Sequence, residues 1–381
     1  MKFVSRLVRN RAVALVSAAV VGVALTAPSR AAETPLKVVT SFSILNDIAR
    51  EVGGDMVALS TLVGPDSDAH GYEPTPGDAR KLGAAQLVIV NGLDFETWLP
   101  RLTQAAGFNG TVVTASNGVK VRAFDGDDHD HDHDHDHDHD HDHDHDHDHD
   151  HGASKTHSHG DHSHAADKKQ ATAHSHSHAA EKSTGAAKSQ AKGHSHGSDA
   201  HAGHNHGPND PHAWQDLANG VIYAKNIADA FSKADPANAQ AYRTRAQDYV
   251  GRLQALDTKI KAELASIPPE RRKVVTSHDA FGYFGDAYGV TFIPVSGLST
   301  SAEPSAKDFA RIIEQVRAEK VPAIFLENIS SPRLAEQIAR ETGAKMGGTL
   351  YSDALAREGQ PGATYIGMFE WNARQLVDSL R

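Results

Sequence analysis

The feature that most restricts what this chain can fold into is an uninterrupted alternation of histidine and aspartate from His129 to His151. Looser histidine-rich stretches continue it as far as His206. Between residues 125 and 208, almost no side chain is apolar enough to offset the entropy lost when a chain is ordered. We therefore expect a disordered insert at 125–208. Imidazole and carboxylate are typical ligands of divalent metal ions, so the insert is also predicted to be a metal-binding loop.

The N-terminus has the pattern of a secretory signal peptide. Four basic residues, Lys2, Arg6, Arg9 and Arg11, precede an apolar stretch from Ala12 to Ala27, and small residues follow around Ala31. We expect this segment, residues 1–31, to be removed on export, because the apolar stretch is short for a membrane-spanning helix. The sequence contains no cysteine that could form a disulfide or carry a lipid. Together these features predict a soluble periplasmic protein without a lipid anchor.

The formal net charge of -11 comes mainly from the insert. Residues 125–150 alone contain 14 aspartates. The rest of the sequence is close to neutral, so nothing in its charge indicates a nucleic-acid partner.

Both blocks of foldable sequence alternate short apolar segments with segments of helical periodicity. Strands are predicted at 36–40, 56–63, 87–90 and 111–114, and again at 273–276, 291–295, 323–327 and 345–350. Helices are predicted at 43–52, 95–106, 214–232 and 368–380, and after capping motifs at Thr75, Ser305 and Ser331. Strands separated by helices predict parallel sheets that are covered on both faces, and hence an α/β fold.

The same pattern predicts the domain boundaries. An N-terminal α/β lobe covers 33–124, and a helix at 209–234 completes this lobe after the insert. A long amphipathic helix is predicted at 235–267; at a rise of 1.5 Å per residue it measures about 45 Å, long enough to join two domains. A second α/β lobe of matching build covers 272–381.

Three histidines belong to the foldable sequence. Of the 27 histidines, 24 lie between His129 and His206, which leaves His70, His212 and His278. Each is predicted to lie in a loop, and His70 and His278 follow predicted strands. Because ligands of open parallel sheets bind beside the carboxyl ends of strands, two facing sheets would bring these loops into one cleft.

Each candidate residue also has a simpler interpretation. A surface histidine explains His70 equally well, and a hydrogen-bonded core histidine explains His278. His212 could be the last member of the insert, although the proline and tryptophan around it favour a rigid ligand loop. Asp353, after the last predicted strand, occupies a place where a helix N-cap is the ordinary role of aspartate.

Four segments carry a resemblance to a known family. They are Asp68-Ala69-His70 with Tyr72-Glu73-Pro74-Thr75-Pro76, Asp210-Pro211-His212-Ala213-Trp214, Ser277-His278-Asp279-Ala280-Phe281 and Tyr351-Ser352-Asp353-Ala354-Leu355. In this order they resemble the metal-site motifs of the zinc and manganese solute-binding proteins of bacterial ABC transporters. The likeness covers essentially the whole mature chain, including the long joining helix and the histidine-rich insert before the second motif.

What the resemblance implies is a pair of (β/α)4 lobes, each with a mostly parallel four-stranded sheet, joined by one long helix around a single metal ion. It carries over His70, His212 and His278 as ligands, and Asp353 as the carboxylate that completes or approaches the shell. Manganese-type members resemble this sequence but have glutamate at the position of His278. Three imidazoles suit four-coordinate zinc, so Zn2+ is the expected ligand. Some zinc members have a disulfide in the second lobe, which this sequence lacks.

Further acidic and imidazole groups are assigned supporting roles. Glu73 and Asp279 are expected to orient the ligand histidines. Histidines of the insert are expected to bind additional zinc more weakly and to raise its concentration near the cleft. The regular run supplies twelve of them: His129, His131, His133, His135, His137, His139, His141, His143, His145, His147, His149 and His151. A zinc-triggered sensor or a solubilising tail is an equally good interpretation of the insert.

The predicted function is capture of Zn2+ in the periplasm and its delivery to a cognate ABC permease with its ATPase, by a monomer that is not an enzyme. Periplasmic zinc metallochaperones are a further candidate partner. Two alternatives stay open, a zinc buffer or metallochaperone without a transporter and a zinc-dependent hydrolase. Three histidines plus an open position is also a catalytic arrangement, although the sequence offers no convincing additional acid and base pair.

Overall fold

The computed structural model describes residues 34–123, 209–297, 300 and 304–381. The predicted signal peptide and the predicted histidine-rich insert, with its twelve candidate ligands, lie outside the described residues. Within the described parts of the chain, helices accompany two four-stranded sheets, which confirms the α/β fold class. Every pair of neighbouring strands in these sheets is parallel, so the sheets are fully rather than mostly parallel.

The first sheet has the strand order β2-β1-β3-β4. Its strands are β1 (Leu36–Phe42), β2 (Val57–Val63), β3 (Leu87–Val90) and β4 (Thr111–Thr114), and its helices are α1 (Ser43–Gly53), α2 (Pro76–Gly83) and α3 (Leu99–Ala106). The central strands β1 and β3 are mostly apolar and almost wholly buried, as expected where helices cover both faces of a sheet. α2 begins with the predicted capping box, in which Thr75 and Asp78 satisfy each other's backbone N–H groups.

Helix α3 begins four residues later than the sequence pattern predicts. The Glu96 carboxylate accepts hydrogen bonds from the backbone N–H groups of Asn91 and Gly92, at 2.7 and 3.1 Å. Leu93 and Asp94 have positive φ angles, which belong to a turn and not to a right-handed helix. The side chain of Glu96 therefore stabilises a turn where apolar spacing alone predicts the first turn of a helix.

Two helices connect the sheets. α4 (Leu217–Ala234) packs against α1 and β4, and Asp216 caps its N-terminus by accepting a hydrogen bond from Ala218 N–H at 2.8 Å. α5 (Ala239–Ala265) has 27 residues, so it is about 40 Å long. It begins after a turn at Pro236–Asn238, a few residues later than predicted.

The second sheet repeats the topology of the first, with the order β6-β5-β7-β8. Its strands are β5 (Lys273–His278), β6 (Thr291–Ser296), β7 (Ala323–Glu327) and β8 (Lys345–Leu350). Its helices are α6 (Gly282–Tyr288), α7 (Ala306–Ala318), α8 (Arg333–Thr342) and α9 (Tyr365–Leu380). α6 was not predicted from the sequence; it has only seven residues and is capped at its C-terminus by Gly289 in the left-handed conformation.

One large apolar core extends through both halves of the described chain. It contains side chains from both sheets and from α1, α4, α5, α6 and α9, among them Leu45, Phe231, Tyr249, Phe284 and Phe369. A smaller core lies between the second sheet and α7 and α8. α5 contacts α1 and α4 as well as α6 and α9, so it packs on both lobes along its length. No helix among the described residues has the length and apolar character needed to cross a membrane.

Candidate metal centre

Four side chains that are far apart in the sequence meet at the carboxyl ends of the two sheets. His70 lies in the loop between β2 and α2, and His212 precedes the turn that leads into α4. His278 is the last residue of β5, not a loop residue, and Asp353 lies in the loop after β8. One ligand atom from each lies within 4.8 Å of the other three. The structure thus brings together all four residues that the sequence motifs single out.

The donor atoms converge on the Asp353 carboxylate. The Nε2 atoms of His70 and His278 are each 3.0 Å from Asp353 Oδ2, and Nε2 of His212 is 3.7 Å from Asp353 Oδ1. The Nε2 atoms of His70 and His212 are 3.3 Å apart. Donors around one tetrahedral zinc ion, with Zn–N bonds of about 2.0 Å, lie roughly 3.3 Å from one another. The observed spacing is therefore that of a single coordination shell.

The three imidazole rings have a nearly three-fold arrangement. The ring centroids are 5.4 Å apart for His70 and His212, 5.5 Å for His212 and His278, and 5.8 Å for His70 and His278. The exposed fraction is 1% for His70 and His278 and 0% for His212 and Asp353. Such burial rules out the interpretation of His70 as a surface histidine. No helix follows Asp353 until Tyr365, so the N-cap interpretation of this aspartate is wrong.

The ring of His212 is held by a carboxylate on the side away from the cluster. Asp210 Oδ1 accepts a hydrogen bond from the His212 backbone N–H at 2.9 Å and lies 2.8 Å from Nδ1 of the same residue. This contact places the hydrogen on Nδ1 and leaves the Nε2 lone pair directed at the cluster.

The ring of His278 forms an ion pair with a carboxylate from a different strand. Nδ1 of His278 lies 2.6 Å from Oε2 of Glu327, the last residue of β7. The other oxygen, Oε1, accepts hydrogen bonds from the backbone N–H groups of Ser277 and His278 at 2.7 and 3.0 Å. Glu327 therefore fixes both the backbone and the ring of His278.

The acidic residues expected to orient the histidines are not the ones that do so. Glu73 is exposed, so it does not fit a role beside buried imidazoles. Asp279 lies close enough to His212 and His278 for their charges to affect its pKa, which burial raises, but the carboxylates against the rings are those of Asp210 and Glu327. Asp210 belongs to the quoted motif. The sequence pattern that could have indicated Glu327 is its position at the end of an apolar strand.

Aromatic side chains form the wall of the cluster on the side of the first sheet. Phe95 meets the His70 ring edge-on at a centroid distance of 4.9 Å, and Trp214 meets the His212 ring at 5.2 Å. The Trp214 indole N–H donates to the Ser352 carbonyl at 2.9 Å, next to Asp353. This wall keeps the cluster in an apolar surrounding and ties the His212 segment to the loop that carries Asp353.

The pKa values of two histidines in the cluster, His70 and His278, are shifted in opposite directions. Burial lowers the pKa of His70. Burial also acts to lower the pKa of His278, but the carboxylates of Glu327 and Asp353 outweigh it and hold that pKa well above its ordinary value. Burial opposes ionisation of Asp353, yet the neighbouring His278 and His212 hold its pKa well below its ordinary value. The cluster is therefore preorganised as an anionic carboxylate surrounded by imidazoles, which suits a divalent cation.

The donor set also bears on the hydrolase interpretation. Catalytic zinc sites keep three protein ligands and an open position for water. Here a fourth protein donor, Asp353, lies within the same shell as the histidines, and all four groups are buried. This arrangement is typical of holding an ion and not of activating a water molecule on it.

Comparison with protein families gives a match over nearly the whole chain. The model of the family described as "ZnuA: Zinc-uptake complex component A periplasmic" matches residues 38–379. The manganese ABC transporter substrate-binding lipoprotein PsaA of Streptococcus pneumoniae is 28% identical over 358 residues, which cover 92% of this chain and 91% of that protein. The metal ABC transporter substrate-binding lipoprotein FimA of Streptococcus parasanguinis is equally similar, at 28% identity over 358 residues.

Solved structures share the fold. The periplasmic zinc binding protein TroA from Treponema pallidum has a TM-score of 0.67 and 25% identity, with 91% of this chain and 99% of that chain covered. A manganese-bound periplasmic metal binding protein from Candidatus Liberibacter asiaticus has a TM-score of 0.65 and 24% identity, with 91% and 100% covered.

Proposed function

This chain belongs to the family of the periplasmic component A of zinc-uptake complexes, and on that premise we propose that it captures Zn2+ between its lobes and delivers it to an ABC permease. Whichever metal it carries, it is a periplasmic, metal-binding substrate-binding protein of an ABC transporter and not a member of an enzyme family. The observation that carries the proposal is the buried cluster of His70, His212, His278 and Asp353, whose donor atoms lie within 4.8 Å of one another.

The choice of zinc rests on the chemistry of the donors. The names of the relatives mention manganese as well as zinc, so membership in the family leaves the metal open. Three imidazole nitrogens and one carboxylate suit a borderline-soft ion in tetrahedral coordination. Manganese favours a harder, oxygen-rich shell of higher coordination number. We therefore infer that zinc is the transported ion and that manganese binds more weakly.

Delivery requires a partner that accepts the ion. A substrate-binding component of an ABC transporter works with a permease and its ATPase, and we propose such a pair as the partners of this chain. Periplasmic zinc metallochaperones remain a second, separate proposal. The names of the streptococcal relatives call them lipoproteins, whereas this sequence contains no cysteine to carry a lipid. Release into the periplasm without a lipid anchor therefore stays a prediction, tested by fractionation of cells that produce the protein.

The direct test is a competition titration of the full chain with a zinc chelator, at free zinc too low to occupy isolated histidines. His70→Ala, His212→Ala and His278→Ala are each expected to weaken the tight site more than about 100-fold, and Asp353→Ala less, because each histidine variant loses a nitrogen ligand whereas water can take the place of the carboxylate oxygen. His174→Ala, in the insert, is the matched control and should leave the tight site unchanged. Equal affinity of the His278→Ala variant and the parent, or tighter manganese than zinc, would refute the proposal.

A further inference from the structure

A short paired segment lies next to the metal cluster. Arg122 and Ala123 come immediately before residues 124–208, which lie outside the described residues, and Asn209 and Asp210 come immediately after them. We call these four residues the insert stem. Ala123 and Asn209 form an antiparallel bridge, and the Asp210 N–H donates to the Arg122 carbonyl at 2.9 Å. The pairing places the side chain of Arg122 beside that of Asp210.

The Asp210 carboxylate connects this arginine to a candidate metal ligand. Its Oδ1 lies 2.8 Å from His212 Nδ1, and its Oδ2 lies 3.5 Å from Arg122 Nη1. Asp210 is completely buried, whereas the Arg122 side chain is 22% exposed. A buried carboxylate needs a compensating charge or several hydrogen bonds. The guanidinium supplies the charge on one oxygen, while the other oxygen faces the imidazole.

Arg122 contacts helix α6 of the second lobe. The Tyr283 hydroxyl accepts a hydrogen bond from Arg122 N–H at 2.9 Å and donates to the Asp210 carbonyl at 3.3 Å. Asp286 Oδ2 is 3.3 Å from Arg122 Nε. A Cβ atom at Gly282 would lie 2.6 Å from Arg122 Nη1 and 2.8 Å from Asp210 Oδ2. A side chain at position 282 is thus incompatible with the present placement of the ion pair.

We infer that Arg122 is a positioning residue for His212 and acts through Asp210. The guanidinium holds Oδ2, so the carboxylate stays oriented with Oδ1 against the imidazole, and Nε2 stays directed at the metal. Outer partners of metal-bound histidines typically change metal affinity by about 10–100-fold, although they do not touch the ion. Because Arg122 contacts α6, the second lobe helps to hold Asp210 and His212 in place. The inference rests on the proposed function, because it requires His212 to ligate the metal.

A double-mutant cycle on the full chain tests whether Arg122 acts through Asp210. Zinc affinity of the tight site is measured by chelator competition for the parent, Arg122→Met, Asp210→Asn and the double variant. Arg122→Met should weaken zinc binding about 10-fold in the parent. In the Asp210→Asn background the same change should have less than about a two-fold effect, because the route to His212 is already broken. An unchanged affinity in folded Arg122→Met, or equal losses in both backgrounds, would overturn the inference.

Two further variants keep the test decisive. Arg252→Met removes an arginine whose ion pair with Glu51 lies on the outer surface, and should leave zinc affinity unchanged. Thermal unfolding of the metal-free proteins shows which variants fold. If Arg122→Met does not fold, Gly282→Ala decides instead, because it keeps every charge but its Cβ displaces both partners of the ion pair, Arg122 Nη1 and Asp210 Oδ2; affinity equal to the parent overturns the inference. A parent that binds no zinc tightly refutes the proposed function itself, whereas a tight parent with an equally tight variant refutes only the role of Arg122.

Discussion

At the scale of single residues, the site depends on which nitrogen of each imidazole carries the hydrogen. Asp210 and Glu327 contact Nδ1 of His212 and His278, which leaves Nε2 for an ion. The motifs in the sequence were sufficient to predict the four clustered side chains. They were not sufficient to predict Glu327, because it follows His278 by 49 residues and reaches it only through the pairing of β5 with β7.

Glu327→Gln should weaken zinc binding by about 10–100-fold without removing a ligand. The amide keeps the approximate shape but loses the charge that aligns and polarises His278. Chelator competition on the full chain measures the effect. Glu319→Gln is the matched control, since that glutamate pairs with Lys273 on the surface. Zinc affinity unchanged by Glu327→Gln would show that the carboxylate plays no part in holding the site.

Zinc binding at pH 7 should release about one proton from His278. In the metal-free protein the carboxylates of Glu327 and Asp353 raise the pKa of His278 well above its ordinary value, so this ring is protonated at neutral pH. An ion must displace that proton, and affinity should therefore fall as the pH is lowered. Calorimetry of the first zinc equivalent, in two buffers with different ionisation enthalpies, measures the release. The same enthalpy in both buffers would contradict the assigned protonation state.

At the scale of secondary structure elements, periodicity predicted most of the fold. The ends of β3, β4, β7 and β8 agree with the sequence patterns. β3 ends before Asn91, and β7 lies between Pro322 and Asn328, which are residues that typically bound a strand. The prediction that α3 begins at residue 95 was wrong, because the Glu96 side chain stabilises a competing turn there. α6 escaped prediction because seven residues are too few for a helical period to be recognised.

The packing of α1 against the start of α9 makes stability depend on pH. Burial raises the pKa of Asp47 to about 6, despite the hydrogen bond that its carboxylate accepts from the Tyr365 N–H. The unfolded chain ionises near pH 4, so the folded state holds this proton more tightly, and its contribution to stability is lost as the pH rises from about 4 to about 6.

Between pH 4 and pH 7, the free energy of unfolding of the metal-free protein should therefore fall by about 2–3 kcal/mol less in Asp47→Asn than in the parent. The amide oxygen can still accept from Tyr365 N–H, but no charge is buried. Urea unfolding at the two pH values measures the difference, and Asp248→Asn, at an exposed position on α5, controls for the loss of one acid. An equal free energy difference between parent and Asp47→Asn at both pH values would rule out the buried ionisation.

At the scale of the whole molecule, the two lobes contact each other away from the metal cluster as well as at it. The large core includes side chains from both sheets. The Trp214 indole donates to the Ser352 carbonyl, and the Tyr365 hydroxyl donates to the Trp214 carbonyl at 2.5 Å. The long helix that the sequence predicts to join two domains packs on helices of both lobes, and its amphipathic pattern alone could not reveal which helices these are.

The lobes should therefore move little when zinc binds, and release should depend on loop rearrangement more than on wide hinge opening. Because the sequence contains no cysteine, labels can be attached at introduced Ala58→Cys and Glu314→Cys, on exposed positions of opposite lobes. The distance distribution between the labels should shift by less than about 3 Å on zinc binding. A closure of about 10 Å would contradict this view of the linker.

In the proposed function, one zinc ion is held by side chains from both lobes. A crystal structure of the zinc-loaded protein, with anomalous scattering recorded on both sides of the zinc absorption edge, tests it most directly. We predict one strong peak in the cleft, bonded to Nε2 of His70, His212 and His278 and to the Asp353 carboxylate. A cleft without a zinc peak, or a peak whose ligands omit any of the three histidines, would refute the proposed zinc site.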